Sequence, residues 1–365
     1  MWLRCKAYLK KFDWILFFSV FLLIFLGLSA IYGVNLGSED LDFVNFKKQV
    51  IFVIVGTGVL FGVSLLDYRI FQNYSRFLYV MGFILLVTVL FLGQEIRGTK
   101  GWFVFGPLYF QPVELVKIIG IIFIARYFTE WARFMNCFRH ILISGIGVFI
   151  FVFLVLLQPE FGSAIVMFFI WFFMILIVGI RKTHLIFMLV VFLVMGSFMW
   201  LFFLKDYQKD RLTTFLKPME DPLGKGYNIT QSMIAVGGGG WIGEGLGSGS
   251  QTRLKFLPES QTDFIFAVLA EELGFLGVGL ILFLFALIFY RIARVARRVE
   301  DDFALFLVLS IMVALAIQVT VNVGMNVGVM PVTGISLPFI SYGGSYLIVS
   351  LAMIGMVEGV WVQSR

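Results

Sequence analysis

The residues in this chain best placed to do chemistry are acids set into apolar sequence, and they are densest in Leu257-Pro-Glu-Ser-Gln-Thr-Asp-Phe-Ile-Phe-Ala-Val-Leu-Ala-Glu-Glu-Leu-Gly274. Pro258 and Thr262 suit a helix start, which would put Asp263 in the first turn, where the positive end of the helix dipole favours its charged form. At 3.6 residues per turn, Asp263, Ala267, Ala270, Glu271 and Gly274 would share one small, acidic face, with Glu271 roughly 12 Å along the axis from Asp263. A carboxylate presented in this way can take a proton from a hydroxyl nucleophile. The pattern fits a structural role equally well, with Asp263 stabilising the helix start and Glu271 forming half of an internal ion pair.

A second group is Arg97-Gly-Thr-Lys-Gly-Trp102 followed by Gln111-Pro-Val-Glu-Leu-Val-Lys117. Pro112 suits a first helical turn, and Glu114 with Lys117 is an i, i+3 pair that lets two charges share an apolar span. Arg97, Lys100 and Lys117 place cations near a helix start, where a diphosphate would find donors and a favourable dipole. Trp102 is equally suited to an interfacial anchor. A further acid, Glu160, sits in Gln158-Pro-Glu-Phe-Gly-Ser163 with almost no charge nearby in sequence. The glycine run 236–250 contains Gly238-x-Gly240-x-x-Gly243, but it lacks the preceding strand and following acid of a dinucleotide site. It reads instead as flexible backbone for a lid or a lipid-facing loop.

The elements that hold these groups are membrane helices. Of 365 residues, 60% are hydrophobic and only 14% charged, with a mean hydropathy of +0.98, far from the composition of a soluble domain. Spans are expected near residues 14–34, 48–66, 76–93, 112–128, 140–157, 162–180, 184–204, 263–290, 304–325 and 345–362, giving an all-α integral membrane protein of about ten transmembrane helices. The chain reads as one polytopic domain, 1–365, with a large extracytoplasmic loop at 205–262 between spans seven and eight. Basic clusters at 4–11, 126–139, 181–182 and 291–298 mark the cytoplasmic side, so both termini are expected inside a bacterial inner membrane. The net charge of +6 is therefore topological, and no nucleic-acid partner is expected. His140 and His184 fall on the cytoplasmic side, which leaves carboxylates and cations for chemistry on the outer face. Cys5 and Cys137 fall there too, where free thiols are the expectation. Two prolines interrupt the apolar stretch 330–345, and broken backbone at membrane depth is tolerated only where protein or a cavity surrounds it.

The motifs quoted above, with Arg211-Leu-Thr-Thr-Phe-Leu, Asp221-Pro-Leu-Gly-Lys225-Gly-Tyr227 and Thr333-Gly-Ile-Ser-Leu-Pro-Phe-Ile-Ser-Tyr-Gly-Gly-Ser345, resemble the SEDS family of shape, elongation, division and sporulation proteins. The resemblance runs over nearly the whole chain. It implies a peptidoglycan glycosyltransferase that joins lipid II units through β-1,4 bonds, with the aspartate at position 263 essential. It also implies a class B penicillin-binding protein as partner, and membrane lipids, lipid II and undecaprenyl-pyrophosphate-linked glycan as ligands. Ala270-Glu-Glu and the Leu-Lys-Phe-Leu-Pro-Glu approach are similar to the elongation branch rather than the division branch. Gln261 stands where the family usually has His, and Glu244 where it usually has Lys.

On this reading Asp263 is the candidate base, with a divalent cation, Mg2+ or Mn2+, partly held by it as an option and no obligatory cofactor. Arg97, Lys100, Trp102, Lys117, Arg211, Lys225 and Glu259 are the candidate substrate contacts. Gln111, Glu114, Glu160, Gln261 and Glu271 are expected to support them. The competing classes are a lipid II flippase or transporter, for which broken helices and membrane acids are also typical, and a non-catalytic scaffold. The long, charged 205–262 loop on one face favours the enzyme.

Overall fold

The computed structural model describes residues 8, 10–36, 43–96, 98–106, 108–135, 137–202, 226–254 and 256–364. Apolar residues occur in runs long enough to span hydrocarbon, and the helices they form fall within a few residues of the expected spans. They are α1 (Trp14–Leu36), α2 (Val44–Leu65), the short α3 (Arg69–Asn73), α4 (Ser75–Leu92), α5 (Pro112–Trp131), α6 (Phe138–Leu156), α7 (Phe161–Val178) and α8 (Lys182–Phe202). Then follow α9 (Tyr227–Gly238), α10 (Ser250–Arg253), α11 (Ile265–Ala296), α12 (Asp302–Asn326) and α13 (Gly344–Gln363). Among the described residues, eight of these are long and apolar enough to cross a membrane. Helix α5 is less apolar because it carries Glu114, Lys117, Arg126 and Glu130, which pair as Glu114 with Lys117 and Arg126 with Glu130.

The segment between α4 and α5 folds as a three-stranded antiparallel sheet of order β1 (Gln94–Ile96), β2 (Thr99–Phe105), β3 (Leu108–Phe110). Glu95 pairs with Lys100 and Phe103 with Phe110 across it. Such backbone pairing is what allows a polar segment to rest on the end of an apolar bundle.

Helices α2 and α13 pack along much of their length because small residues let their backbones meet. A Cβ on Gly355 would lie 2.5 Å from the Leu60 carbonyl oxygen, and one on Gly359 3.3 Å from that of Ser64. Helix α12 packs on α5, α7 and α11, and α11 packs on α1. Between α12 and α13 the chain does not stay at the surface. Leu337, Phe339, Ile340 and Ser341 are buried, and the Ile340 carbonyl oxygen approaches Gly27, halfway along α1, to 2.4 Å from where a Cβ would stand. The broken segment is thus re-entrant and enclosed by protein, as expected of unpaired backbone at that depth.

Candidate functional site

Asp263 does not lie in the first turn of a helix. Helix α11 begins at Ile265, and residues 258–264 form a run of turns. The cause is that three successive carbonyls are drawn away from the helix axis. The Gln261 carbonyl accepts from the Tyr342 N–H at 2.8 Å and that of Thr262 from the Ser341 hydroxyl at 2.7 Å. The Asp263 carbonyl accepts from the Nδ2 groups of both Asn322 and Asn326 at 3.0 Å. Gln261 adds a side-chain tie: its Oε1 accepts from Asn45 and its Nε2 donates to Asn35, both at 2.9 Å, which pins the turn to α1 and α2. Glu259 sits exposed at φ 51°, with its carboxylate accepting from the Thr262 hydroxyl at 3.0 Å. The half-buried Asp263 carboxylate lies beside Gly334, whose Cβ position is 3.6 Å from Oδ2.

The second group forms at the start of α5. Lys117 Nζ is 2.8 Å from each carboxylate oxygen of Glu114, and both residues are only 5% exposed. Lys117 is therefore matched to Glu114 rather than presented as a bare cation, and its ammonium lies 5.4 Å from the centre of the Tyr346 ring. Glu160, in the turn before α7, accepts a hydrogen bond from the Ser163 hydroxyl, while its buried Oε2 has no hydrogen-bond partner among the described residues. Burial pushes its carboxyl up to about 7; the Ser163 bond opposes this, nearby Glu114 adds to it, and Lys117 and Gln111 oppose it.

The re-entrant segment joins the two groups. A Cβ on Gly162, next to the Glu160 turn, would meet the Thr333 carbonyl oxygen at 2.8 Å, and the following residue, Gly334, borders Asp263. Tyr346 donates to the Ser336 carbonyl at 2.6 Å and to Gln318 Oε1 at 3.2 Å. Asp263 and the Glu114–Lys117–Glu160 group thus flank one stretch of chain.

Other candidates fall elsewhere. Lys100 is exposed on β2, and Trp102 donates to Thr99 at 3.4 Å within its own strand. Arg97, Arg211 and Lys225 lie outside the described residues. Glu271 does not share a face with Asp263. Its carboxylate accepts from the Gln251 N–H at 2.7 Å and the Thr252 hydroxyl at 2.8 Å, anchoring α10. The acid holds the glycine segment rather than the site. Asn45, Lys48, Gln49, Asn322 and Asn326 were not singled out from sequence. Lys48 lies 5.9 Å from the Tyr109 ring centre, and Gln49 bonds both Ser341 and Gly343. Among the described residues no cluster of three or more His, Cys, Asp or Glu could hold a metal.

A helical bundle that crosses a membrane many times, with a half-buried carboxylate in a turn beside a re-entrant segment whose other flank meets a buried ion pair, defines a polytopic membrane protein with a polar site at one end of its spans. This chain belongs to the cell cycle protein family FTSW_RODA_SPOVE, whose profile matches residues 13–365. It is 37% identical over 360 residues to stage V sporulation protein E of Bacillus subtilis, covering 97% of this chain and 98% of that one. It is 37% identical over 324 residues to the probable peptidoglycan glycosyltransferase FtsW of Coxiella burnetii, covering 86% and 85%. A solved structure described as showing the coordination of polymerization and crosslinking by a peptidoglycan synthase complex superposes with a TM-score of 0.81 at 35% identity, covering 97% and 98%.

Proposed function

We propose that this peptidoglycan glycosyltransferase polymerises lipid II into β-1,4 glycan strands at the outer face of the bacterial inner membrane, with both termini in the cytoplasm and Asp263 as general base. The observation that carries the reading is the Asp263 turn: three tied carbonyls fix the backbone that carries an acidic side chain beside the re-entrant segment. Such fixing is what a base needs, because proton transfer depends first on reach and geometry.

The acceptor is the free 4-hydroxyl of a lipid II sugar. Its oxygen attacks the anomeric carbon of a strand bonded to undecaprenyl pyrophosphate, a new C–O bond forms as the bond to pyrophosphate breaks, and Asp263 takes the hydroxyl proton. The pyrophosphate leaves as an anion and needs cations rather than a proton donor. Lys117 supplies one from its pair with Glu114, and Lys100, Arg97, Arg211 and Lys225 are the further candidates. Trp102 and Glu259 would border the sugars. Asp263 is a single charged oxygen ligand, so Mg2+ or Mn2+ there would take its remaining ligands from water and substrate phosphates.

The Ala270-Glu271-Glu272 and Leu254-to-Glu259 sequences support an elongation-type, RodA-like enzyme. The 37% identity to a relative named FtsW favours a division-type enzyme as the second reading. Rescue of cells depleted of one or the other polymerase separates them. The match to a synthase complex supports a class B penicillin-binding protein as partner.

With that partner present, Asp263→Ala in a folded, normally inserted protein is expected to lower lipid II polymerisation by at least about 10²-fold. Glycan strands formed at the wild-type rate would remove the base assignment.

A further inference from the structure

Helix α12 carries three carboxamides, Gln318, Asn322 and Asn326, spaced four residues apart on one face of an apolar span, at 1%, 0% and 0% exposure. Buried carboxamides in a membrane helix must be bonded, and their usual use is to glue one helix to the next. Gln318 does this with α13, but Asn322 and Asn326 reach the irregular segments that make up the site. Asn322 Nδ2 donates to the Asp263 carbonyl at 3.0 Å and to the Ile335 carbonyl at 2.8 Å. Gln318 Oε1 accepts from Tyr346, the residue over whose ring the Lys117 ammonium lies.

Asn326 does something more specific. In an uninterrupted helix the Asp263 carbonyl would accept from the Ala267 N–H, four residues on. Instead the Ala267 N–H donates to Asn326 Oδ1 at 3.2 Å, and the Asp263 carbonyl accepts from Asn326 Nδ2 at 3.0 Å. The side-chain amide has the donor and acceptor of a peptide group and is spliced into that bond. Ser232 of α9 steadies the Asn326 amide by donating to its backbone oxygen at 2.9 Å and its Oδ1 at 3.3 Å.

We propose that Asn326, assisted by Asn322, is a positioning residue for the transferase. It holds Asp263 just outside α11, two residues before Ile265, so that the carboxylate stands beside Gly334, and the Gln318–Asn322–Asn326 stripe couples that position to the Glu114–Lys117 pair through Tyr346. The proposal rests on the reading of Asp263 as the base. Without Asn326, the Ala267 N–H loses its acceptor and the Asp263 carbonyl keeps only its bond from Asn322, which leaves it free to accept the i, i+4 bond from Ala267, and the helix extends to include Asp263. Its carboxylate then leaves the site and gains the helix dipole.

Polymerisation of lipid II by the full-length protein with its penicillin-binding partner tests this in Asn326→Leu, which has similar volume and no amide, alongside Asp263→Ala. In Asn326→Leu, kcat is expected to fall by about 10²-fold, the scale of a 1 Å misplacement of a reacting group. KM should move by less than about threefold, because the substrate contacts are untouched. The acid limb of the kcat profile should shift to lower pH, as the dipole stabilises the charged carboxylate; a role in packing alone would not produce that shift. Asn326→Gln, which keeps the amide, should recover part of the rate. If Asn326→Leu does not fold, Asn326→Asp decides: it retains the acceptor for Ala267, loses the donor to Asp263, and should show the same fall. Wild-type kcat in the folded variant, with Asp263→Ala inactive, overturns the positioning role and leaves the base standing. Activity in Asp263→Ala overturns the base itself.

Discussion

Glu160 is a carboxyl whose burial holds its proton to about 7, against 4.5 for an ordinary glutamate. Because the folded state keeps that proton while the unfolded chain has lost it, stability falls as pH rises from about 4.5 through about 7 and is level beyond. The cost approaches about 3 kcal/mol for a shift of that size, at 1.36 kcal/mol per unit. Glu160→Gln, which cannot ionise, should be more stable than the parent at pH 8 and similar to it at pH 4. Thermal unfolding in detergent across that range checks the sign, and parallel curves would remove the buried-proton account. At this scale the sequence showed Asp263, Glu114, Lys117 and Glu160, because an acid or a base in apolar sequence must have a reason. It did not show Asn322 and Asn326, whose partner Asp263 is 59 and 63 residues away. Their only local signal is a carboxamide at every fourth position of an apolar helix. Asn45 and Gln49 escaped for the same reason: each bonds a segment more than two hundred residues distant.

The glycine segment and α11 are one element. Helix α11 is broken at Gly274, with φ 64° and ψ −164°. Carbonyls freed near the break, those of Glu271 and Glu272, accept from the N–H groups of Glu244 and Gly245 at 3.0 Å, while the N–H groups of Phe275 and Leu276 donate to the carbonyls of Gly240 and Trp241. The glycine run is therefore laid against a helix as if it were a partner strand, and the run needs glycine because side chains would not fit. A Cβ on Gly239 would lie 1.9 Å from the Ala270 carbonyl oxygen, and one on Gly243, already at φ 80°, 2.1 Å from that of Glu272. In sequence the run reads as flexible backbone for a lid or a lipid-facing loop, since a glycine needed for close approach looks the same as one needed for freedom. Trp241 and Ile242 are 73% and 77% exposed. Gly243→Ala should detach the segment from the break at a cost of more than about 1 kcal/mol, combining a disallowed φ with a backbone clash. Limited proteolysis should then cut within 239–249 in the variant at protease levels that spare the parent. Equal resistance would show that the contact does not hold the segment.

At the scale of the whole molecule, the polar site occupies one end of the spans and a buried charge cluster the other. Arg291 of α11 donates from Nε and from a terminal nitrogen to Asp13 Oδ2, while the Asp13 N–H donates to Glu358 of α13 at 3.1 Å. The three residues are 3%, 7% and 0% exposed for Asp13, Arg291 and Glu358. They bind the start of α1, the far end of α11 and the far end of α13 into one clasp. Helix α11 thus has its entry fixed by Asn326 and its exit by Asp13, with the Gly274 break between, so the register of the site depends on both ends. The spans themselves were legible from hydropathy, and Arg291 was legible as one of a basic group at a helix end. That it turns inward to pair with Asp13 was not, because the basic residues around it, Arg294, Arg297 and Arg298, suggest a solvated cluster. Arg291 pairs directly with Asp13, while Glu358 holds the Asp13 N–H, so removing the arginine strips Asp13 of its counter-ion beside a second buried acid. Arg291→Met should lower stability by about 3–5 kcal/mol, the usual consequence of stripping one partner from a buried ion pair. Adding Glu358→Gln removes the second acid from beside the unpaired Asp13 and should recover part of that loss, whereas Glu358→Gln alone, with Arg291 still paired to Asp13, should change stability by less than either variant containing Arg291→Met. Denaturation of the three purified proteins in the same detergent decides it. An Arg291→Met protein as stable as the parent would mean that the bundle is held by apolar packing and its glycine contacts alone.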